Sequence, residues 1–295
     1  MKNQQNAKTR KAPSAIRAFF SLLAKTKEGL IGFMVVAFFM CLAIVVEITN
    51  LLGIRITPYD PLAQNVGPEL APPSLSHLLG TDIVGRDAFS RIVAATPNDM
   101  AIGIVVVGAA LLFGIIIGTV AAFKGGLFDE LLMRVTDVAF ALPTLVIAMV
   151  IAVALGPGLT NMMVALVLIW WPPYARLSRG QALTIKHQNY IEAARFSGMG
   201  SAKTVVKHVI PNILTTVMVY ATLDIGTVIL VYAGLSYLGL SVRPPYPDWG
   251  EMISSMQDYL LTAPWLPIVP GLIISSIVVG FSLLGDGIKE ALEAR

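Results

Sequence analysis

The chain carries little charge for its length. Only 13% of its 295 residues are Asp, Glu, Lys or Arg, whereas 56% are hydrophobic. A soluble domain of ordinary composition has about 25% charged residues, which coat its surface with solvated groups. Half that density cannot cover a water-exposed globule of this size. The composition therefore argues against a soluble enzyme and predicts an all-α polytopic membrane protein.

Cysteine and histidine are scarce as well. The single cysteine, Cys41, excludes an internal disulfide and any multi-cysteine zinc or iron–sulfur site. The three histidines, His77, His187 and His208, fall in separate segments, where solvated loops are the default expectation. An intramembrane hydrolase needs a nucleophile with a paired base or a metal dyad inside its spans, and the spans hold no histidine. We therefore expect no catalytic residue, no metal site and no nucleic-acid partner.

Long uncharged stretches predict the membrane spans, because one crossing takes about 20 apolar residues. The stretch at 138–175 is too long for one crossing, and Gly156-Pro157-Gly158 divides it into two. The sequence thus predicts six transmembrane helices, from residues 29–52, 100–123, the two halves of 138–175, 209–242 and 259–285. The first run is too long for a signal peptide and lacks a cleavage pattern, so it is interpreted as an uncleaved anchor.

The basic residues predict the orientation. Of the 21 Lys and Arg residues, all but four fall in the N-terminal tail, the connections after the second and fourth spans, or the C-terminal end. The exceptions are Arg55, Arg86, Arg91 and Arg243. Because cytosolic loops carry the excess of Lys and Arg, both termini are predicted to be cytosolic, in a multi-pass protein of the cell membrane.

The cytosolic segment between the fourth and fifth spans has an unusual pattern. Residues 191–196 are good helix formers, and Gly198 or Gly200 can supply the positive φ that ends a helix. Ser201 can cap a second short helix, and Pro211 marks the bend into the fifth span. A short polar connector is the alternative interpretation. The pattern favours two short helices around a glycine turn, shaped to insert into a groove on a partner protein.

This segment resembles the EAA coupling loop of bacterial and archaeal ABC importer permeases. Glu192-Ala193-Ala194, then Gly198, then Ile210-Pro211 follow the family pattern, although His208 stands where the family has an apolar residue. Other motifs, in the right order, are similar to the dipeptide, oligopeptide and nickel subfamily. They are Gly80-Thr81-Asp82-Ile83-Val84-Gly85-Arg86-Asp87, Met133-Arg134-Val135-Thr136-Asp137, Ala141-Leu142-Pro143, Gly234-Leu235-Ser236-Tyr237-Leu238-Gly239, Trp249-Gly250 and Gly285-Asp286-Gly287-Ile288.

The resemblance implies a type I importer fold and a set of partners. Two permease subunits, normally different chains, form the channel; two cytosolic ATPases bind their coupling helices; and an extracytoplasmic binding protein delivers the substrate. The chain has no Gly-x-x-x-x-Gly-Lys-Ser/Thr motif, so it binds no cofactor of its own, and ATP and Mg²⁺ are used by the ATPases. The implied segments are a basic cytosolic tail (1–28), a first anchor (29–52), an extracytoplasmic segment (53–99), the permease core (100–286) with the coupling loop at 176–211, and a cytosolic tail (287–295).

The resemblance assigns the coupling role to individual residues. Glu192 is expected to be the charged contact to the ATPase, Ala193 and Ala194 to allow close approach, Gly198 to make the turn and Pro211 to end the loop. The alternative for Glu192 is that it merely caps a solvated helix.

Asp224 is the only acid plainly inside a span. It follows Asn212 by about 18 Å of helix, which places it near or beyond the bilayer midplane. A charge there costs about 2.5–3.5 kcal/mol on insertion scales. Two interpretations stay open: a site in the translocation path that recognises a substrate amine or cation, and a structural hydrogen bond between helices.

Three further predictions concern polar and aromatic residues. Asp137 follows Arg134 by one helical turn, which favours a local ion pair. Residues 86–91 could touch the binding protein or form an ordinary amphipathic entry helix. The aromatic residues expected to anchor the chain at the membrane surface are Trp170, Trp171 and Trp249.

The predicted function is the permease subunit of an ATP-driven importer of dipeptides or oligopeptides. A nickel or metal-chelate importer is the close alternative, because a chelated metal is held by its own ligands. An ATP-independent secondary transporter is a weaker alternative.

Overall fold

A computed structural model describes residues 26–293, and this part of the chain is helical without a β-strand. Most of the predicted basic tail, residues 1–25, and the last two residues, 294–295, lie outside the described part. The helices are α1 (Lys27–Leu51), α2 (Ala88–Lys124), α3 (Gly126–Ala141), α4 (Thr144–Leu155), α5 (Leu159–Lys186), α6 (Asn189–Phe196), α7 (Ser201–Thr204), α8 (Ile210–Tyr237), α9 (Trp249–Met256) and α10 (Trp265–Glu293). A π turn, Val205–Val209, joins α7 to α8.

Four helices of the described part are long and apolar enough to cross a membrane. They are α1, α2, the helix that runs from Ser201 to Tyr237, and α10. The bent pair α3–α4 brings the number to five. The predicted count of six therefore depends on α5, whose apolar stretch is followed by Arg176 and Arg179 in the same helix.

The third predicted span, the first half of 138–175, is divided between two helices. Helices α3 and α4 meet at 91°. Leu142, between them, is extended, because the residue before a proline is disfavoured in helical conformation and Pro143 follows. Residues 138–141 thus belong to α3. The break predicted at Gly156-Pro157-Gly158 is confirmed, since both glycines have positive φ and separate α4 from α5.

Helices α2 and α5 share the most extensive contact of the described helix pairs, and two glycines let them approach closely. A Cβ at Gly114 would overlap Tyr174, and one at Gly118 would overlap the carbonyl oxygen of Ala175. Small residues four apart let two helix backbones approach closely, which is a recurrent interface of membrane helices. Helix α5 therefore lies directly along α2, although α5 itself is the least apolar of the long helices.

Helix α2 starts 12 residues earlier than the second span was predicted to start. Asp87 caps it, accepting from the Ser90 backbone N–H at 2.8 Å. His77 is buried, with Nδ1 2.9 Å from Asp87 Oδ1, and its ring stacks on Tyr59. The expected solvated loop histidine is therefore wrong for His77, because the segment before α2 folds back over the helix start.

Arg91 joins three parts of the extracytoplasmic half. Its side chain is 2% exposed, donates to the carbonyl oxygens of Pro61 (3.2 Å) and Pro245 (2.9 Å), and pairs with Glu251 of α9 at 3.3 Å. Burial raises the pKa of Glu251, and the guanidiniums of Arg91 and Arg86 act in the opposite direction. Arg86 is also buried, paired with Asp82. The prediction of a separate amphipathic entry helix is wrong, because both arginines are enclosed and residues 88–91 are the first turn of α2. A contact of this segment with the binding protein stays a prediction.

Two of the predicted surface tryptophans are buried instead. Trp249 donates from Nε1 to the Ile92 carbonyl at 3.2 Å, and its backbone N–H donates to Asp99 at 3.0 Å. Trp170 is buried against Asp224. Of the three, Trp171 is partly exposed. The rings of Trp249 and Trp170 fill interhelical space because each finds a hydrogen-bond acceptor there.

Replacing Arg91 by alanine is expected to destabilise the fold. The change leaves Glu251 without its cation and two carbonyls without their donor, and losing one partner of a buried pair costs about 3–5 kcal/mol. Thermal unfolding in detergent measures the effect. Arg243→Ala is the matched control, because Arg243 is predicted to lie on the same side of the membrane and is exposed. Equal unfolding midpoints for the two variants would contradict the role given to Arg91.

Candidate functional site

The cytosolic helix α6 carries the predicted coupling residues on an open surface. Glu192 and Ala193 are exposed and Ala194 is half-buried. Phe196 adds an apolar ring that is 90% exposed, one turn beyond Glu192. Sequence reasoning missed Phe196, although a large apolar residue beside a glycine turn could have indicated it. The face defined by Glu192, Ala193 and Phe196 is called the coupling face below.

Ile191 holds α6 against the bundle. Its side chain is fully buried and belongs to the same apolar cluster as Val209, Ile213 and Tyr174. The ring of Tyr190 also lies 6.3 Å from the ring of His208 in the π turn, in an edge-to-face arrangement. The coupling face is thus the outer side of a helix whose inner side packs into the membrane-spanning helices.

Gly198 ends α6 in the left-handed conformation, with φ +84°, as predicted. The backbone N–H of Met199 donates to the Ala194 carbonyl at 3.1 Å, and that of Ser197 to the Ala193 carbonyl at 3.0 Å. The bond from Met199, five residues back, with a left-handed glycine before it, is the arrangement of a Schellman C-cap. Gly200 has φ −65°, so the alternative turn position is not the one used.

The second half of the predicted loop differs from the prediction. Ser201 makes no capping bond, and α7 continues without a break through the π turn into α8. Pro211 is the second residue of α8 and marks no bend. Because proline has no N–H for the helical ladder, the wider π turn directly before it absorbs the irregularity. The structure therefore brings Glu192, Ala193, Ala194 and Gly198 together and leaves Pro211 at the start of α8.

Asp224 lies in the middle of α8 and is bonded to α5. Its Oδ2 accepts hydrogen bonds from Trp170 Nε1 at 2.6 Å and from the Tyr174 hydroxyl at 2.8 Å. Tyr220, one turn before Asp224, meets Tyr174 edge-to-face with the ring centres 5.3 Å apart. The interhelical hydrogen bond foreseen as one interpretation of Asp224 is therefore present, and its donors are two aromatic side chains.

A cavity of about 420 Å³ opens beside α8 towards its predicted cytosolic end. Its walls are mostly apolar, and Lys289 and Glu293 of α10 belong to its lining. The other lining residues are Leu177, Thr215, Thr216, Val219, Tyr220, Leu223 and Leu292. The cavity thus reaches to within one helical turn of Asp224.

Ion pairs fasten α3 to α5 near the predicted cytosolic surface. Arg179 binds Asp129 through two nitrogens, each at 2.7 Å, and Arg176 pairs with Asp137. The local pair predicted between Arg134 and Asp137 is wrong, because Arg134 pairs with Glu130 at 3.5 Å instead. The anchors on α3 are eight residues apart and those on α5 three residues apart.

The polar residues of the described part form no group of His, Cys, Asp and Glu suited to a metal ion. The chemistry available at the coupling face is that of protein–protein contact: one carboxylate, one small residue and one exposed aromatic ring. At Asp224 it is that of a carboxylate with aromatic neighbours.

Comparison with known proteins places the chain among transport proteins. The family described as "Binding-protein-dependent transport system inner membrane component" matches residues 110–295. The dipeptide transport system permease protein DppC of Alkalihalophilus pseudofirmus is 34% identical over 284 residues, which cover 96% of this chain and 91% of the relative.

Two further relatives are named as permeases for related substrates. The probable D,D-dipeptide transport system permease protein DdpC of Escherichia coli is 38% identical over 80% of both chains. The glutathione transport system permease protein GsiD of Pectobacterium atrosepticum is 37% identical over 76% of this chain and 74% of its own. The resemblance inferred from the motifs is thereby confirmed, and the chain belongs to the family of binding-protein-dependent transport system inner membrane components, as a helical membrane permease of its peptide-transporting branch.

Proposed function

We propose that this chain is the permease subunit of an ATP-driven importer that moves dipeptides or oligopeptides into the cytosol. The relatives are named as permeases for dipeptides, D,D-dipeptides and glutathione, which supports peptides as the substrate class. They do not favour the nickel or metal-chelate alternative. The chain has no P-loop motif, so the energy must come from a separate ATPase subunit.

The coupling face is the observation that carries this proposal. The exposed ring of Phe196 stands on the outer side of a helix whose inner side packs into the bundle, and it offers an apolar anchor for a groove on another protein. Glu192 supplies a charge beside it, and Ala193 leaves room for a close approach. We assign this face to a groove on the ATPase.

The partners follow from that assignment. Two ATPases bind two coupling faces, one on this chain and one on a second permease that is normally a different chain. An extracytoplasmic binding protein delivers the peptide. Both termini of this chain lie in the cytosol, in keeping with the distribution of Lys and Arg. Asp224 lies on the translocation path between the two permeases.

Movement of α6 is the proposed step that couples ATP to transport. ATP binding brings the two ATPases together and moves the grooves that hold the coupling faces. Because Ile191 belongs to the apolar cluster that α2, α5 and α8 share, a displaced α6 displaces that cluster too. ATP then shifts the permeases between inward-open and outward-open states by binding one state more tightly than the other.

Gly198→Val is expected to uncouple transport from ATP hydrolysis. Valine in the left-handed region is strained by about 1–2 kcal/mol, which turns α6 away from the ATPase. The variant should reach the membrane in normal amount, hydrolyse ATP at the basal rate, and take up peptide roughly tenfold more slowly, the factor that 1.4 kcal/mol represents. Uptake into membrane vesicles and phosphate release are the two measurements.

Gly200→Val is the matched control for that variant. The same side chain is introduced two residues away, at a glycine with an ordinary φ, and a Cβ at either glycine meets no atom within 4 Å. The two variants therefore differ chiefly in backbone strain. Normal peptide uptake by Gly198→Val would overturn the coupling role of the turn.

The secondary-transporter alternative makes a different prediction. Reconstituted with its partners, the importer should stop peptide uptake when a non-hydrolysable ATP analogue replaces ATP. Uptake that continues with the analogue at the same rate would support ATP-independent transport and would contradict the proposal.

A further inference from the structure

One side of α8 carries polar side chains through the middle of the membrane. Thr216, Tyr220, Asp224 and Thr227 are spaced four, four and three residues apart, which places them along one face over about 16 Å. Thr216, Tyr220 and Thr227 are exposed, and Asp224 is half-buried. We call this face the polar stripe.

Two hydroxyls of the polar stripe have no hydrogen-bond partner among the described residues. Neither Thr216 nor Thr227 makes a side-chain hydrogen bond to any residue that the structure describes, whereas Thr222 donates to the Met218 carbonyl of its own helix at 2.9 Å. An unpaired hydroxyl is costly in an apolar environment, and polar side chains of membrane helices face the bundle interior or a water-filled space. The polar stripe therefore borders a polar space rather than lipid.

Only one of the two carboxylate oxygens of Asp224 accepts hydrogen bonds from the described residues. Both of its hydrogen bonds, from Trp170 and Tyr174, converge on Oδ2, and Oδ1 accepts none from the described residues. Oδ1 has no partner among these residues but is not enclosed, so it is open to the space beside α8. The two donors hold the carboxylate in one orientation and leave one oxygen free to bind.

No cation of the described part neutralises this carboxylate. Arg176 and Arg179, the basic residues of α5 nearest in sequence to its donors, are both paired with aspartates of α3. A carboxylate at membrane depth normally pairs with a cation or faces water, and such residues mark the paths of ions and substrates. The cation that pairs with Asp224 is then a transient one.

From these contacts we infer that Asp224 Oδ1, together with the ring of Tyr220, is a transit site for the ammonium group of a peptide. The inference rests on the proposed function. The ammonium donates to Oδ1 and lies against the aromatic ring, the pairing that cations make with carboxylates and π faces. From there the peptide reaches the cavity that Tyr220 and Thr216 line, which leads towards Lys289 and Glu293.

Charge-selective thiol labelling tests the site without any substrate. In a Cys41→Ser background, Thr216→Cys and Thr227→Cys place thiols on the polar stripe of the assembled importer in membrane vesicles. A cationic thiosulfonate reagent should modify both faster than an anionic one by roughly fivefold, after correction for their rates with a free thiol, because Asp224 attracts the cation. Adding Asp224→Asn should abolish the preference.

Thr222→Cys is the matched control. It is the same residue type at the same depth, and it lies about 200° around the helix from Asp224. It should react slowly with both reagents. Equal rates for the two charges at Thr216→Cys and Thr227→Cys, or a Thr222→Cys thiol that is as reactive as theirs, would overturn the inference. Unreactive stripe thiols would mean that the second permease covers the stripe, which overturns it as well.

Transport by Asp224→Asn provides the second test. Asparagine keeps an oxygen for Trp170 and Tyr174, so the subunits should assemble in normal amount. Uptake of dipeptides with a free amino group should fall roughly tenfold, while the peptide-loaded binding protein still stimulates ATP hydrolysis. Normal uptake, or loss of assembly, would show a merely structural aspartate. A wild-type importer whose ATP hydrolysis the loaded binding protein fails to stimulate would count against the proposed function instead, and the labelling result would stand by itself.

Discussion

The burial of Ile191 is the contact on which the cytosolic side of this structure depends. It fixes a short helix, too short to be stable alone, to the packed core that α2, α5 and α8 share. With the inner side of α6 held and its end closed by the left-handed turn at Gly198, the outer side presents Glu192, Ala193 and Phe196 in a fixed arrangement. A push on that surface is passed into close-packed side chains, which transmit displacement rather than absorb it.

Three groups of polar residues in the described part of the chain have different roles. On the extracytoplasmic side, Arg91 and Glu251 close a buried network that joins α2 to α9. Near the predicted cytosolic surface, Arg176 and Arg179 fasten α3 across α5. Both sets pair charge with charge and are static. Asp224 differs, because neutral donors orient it and one of its oxygens stays open.

Much of this arrangement could be predicted from residue patterns. Charge-free runs located most of the long helices, and the glycine spacing after Glu192-Ala193-Ala194 located the left-handed turn. Those features are local, so the sequence around them is sufficient. The break at Pro143 was also a local feature, but it was not predicted because the spans were located by the absence of charge alone.

Contacts between distant residues could not be predicted in the same way. The partner of Asp137 is 39 residues away, and the acceptor of the Trp249 indole is 157 residues away, so helix spacing offers no signal for either. The tryptophans of a membrane protein were predicted to lie at the membrane surface. Trp249 and Trp170 are buried instead, through the packing of α2 against α9 and of α5 against α8. Pro211 misled for a related reason: a π turn can absorb a missing N–H without bending the chain.

Site-specific cross-linking at the coupling face tests most directly whether an ATPase sits on α6. In a Cys41→Ser background, cysteines in place of Ala193 and Phe196 should be joined by a thiol-to-amine reagent to a nucleotide-binding subunit in cells that import peptide. A cysteine in place of Leu261, which is 96% exposed outside the helices, should trap none. Cells that import peptide normally while neither coupling-face cysteine ever captures an ATPase would contradict the assignment.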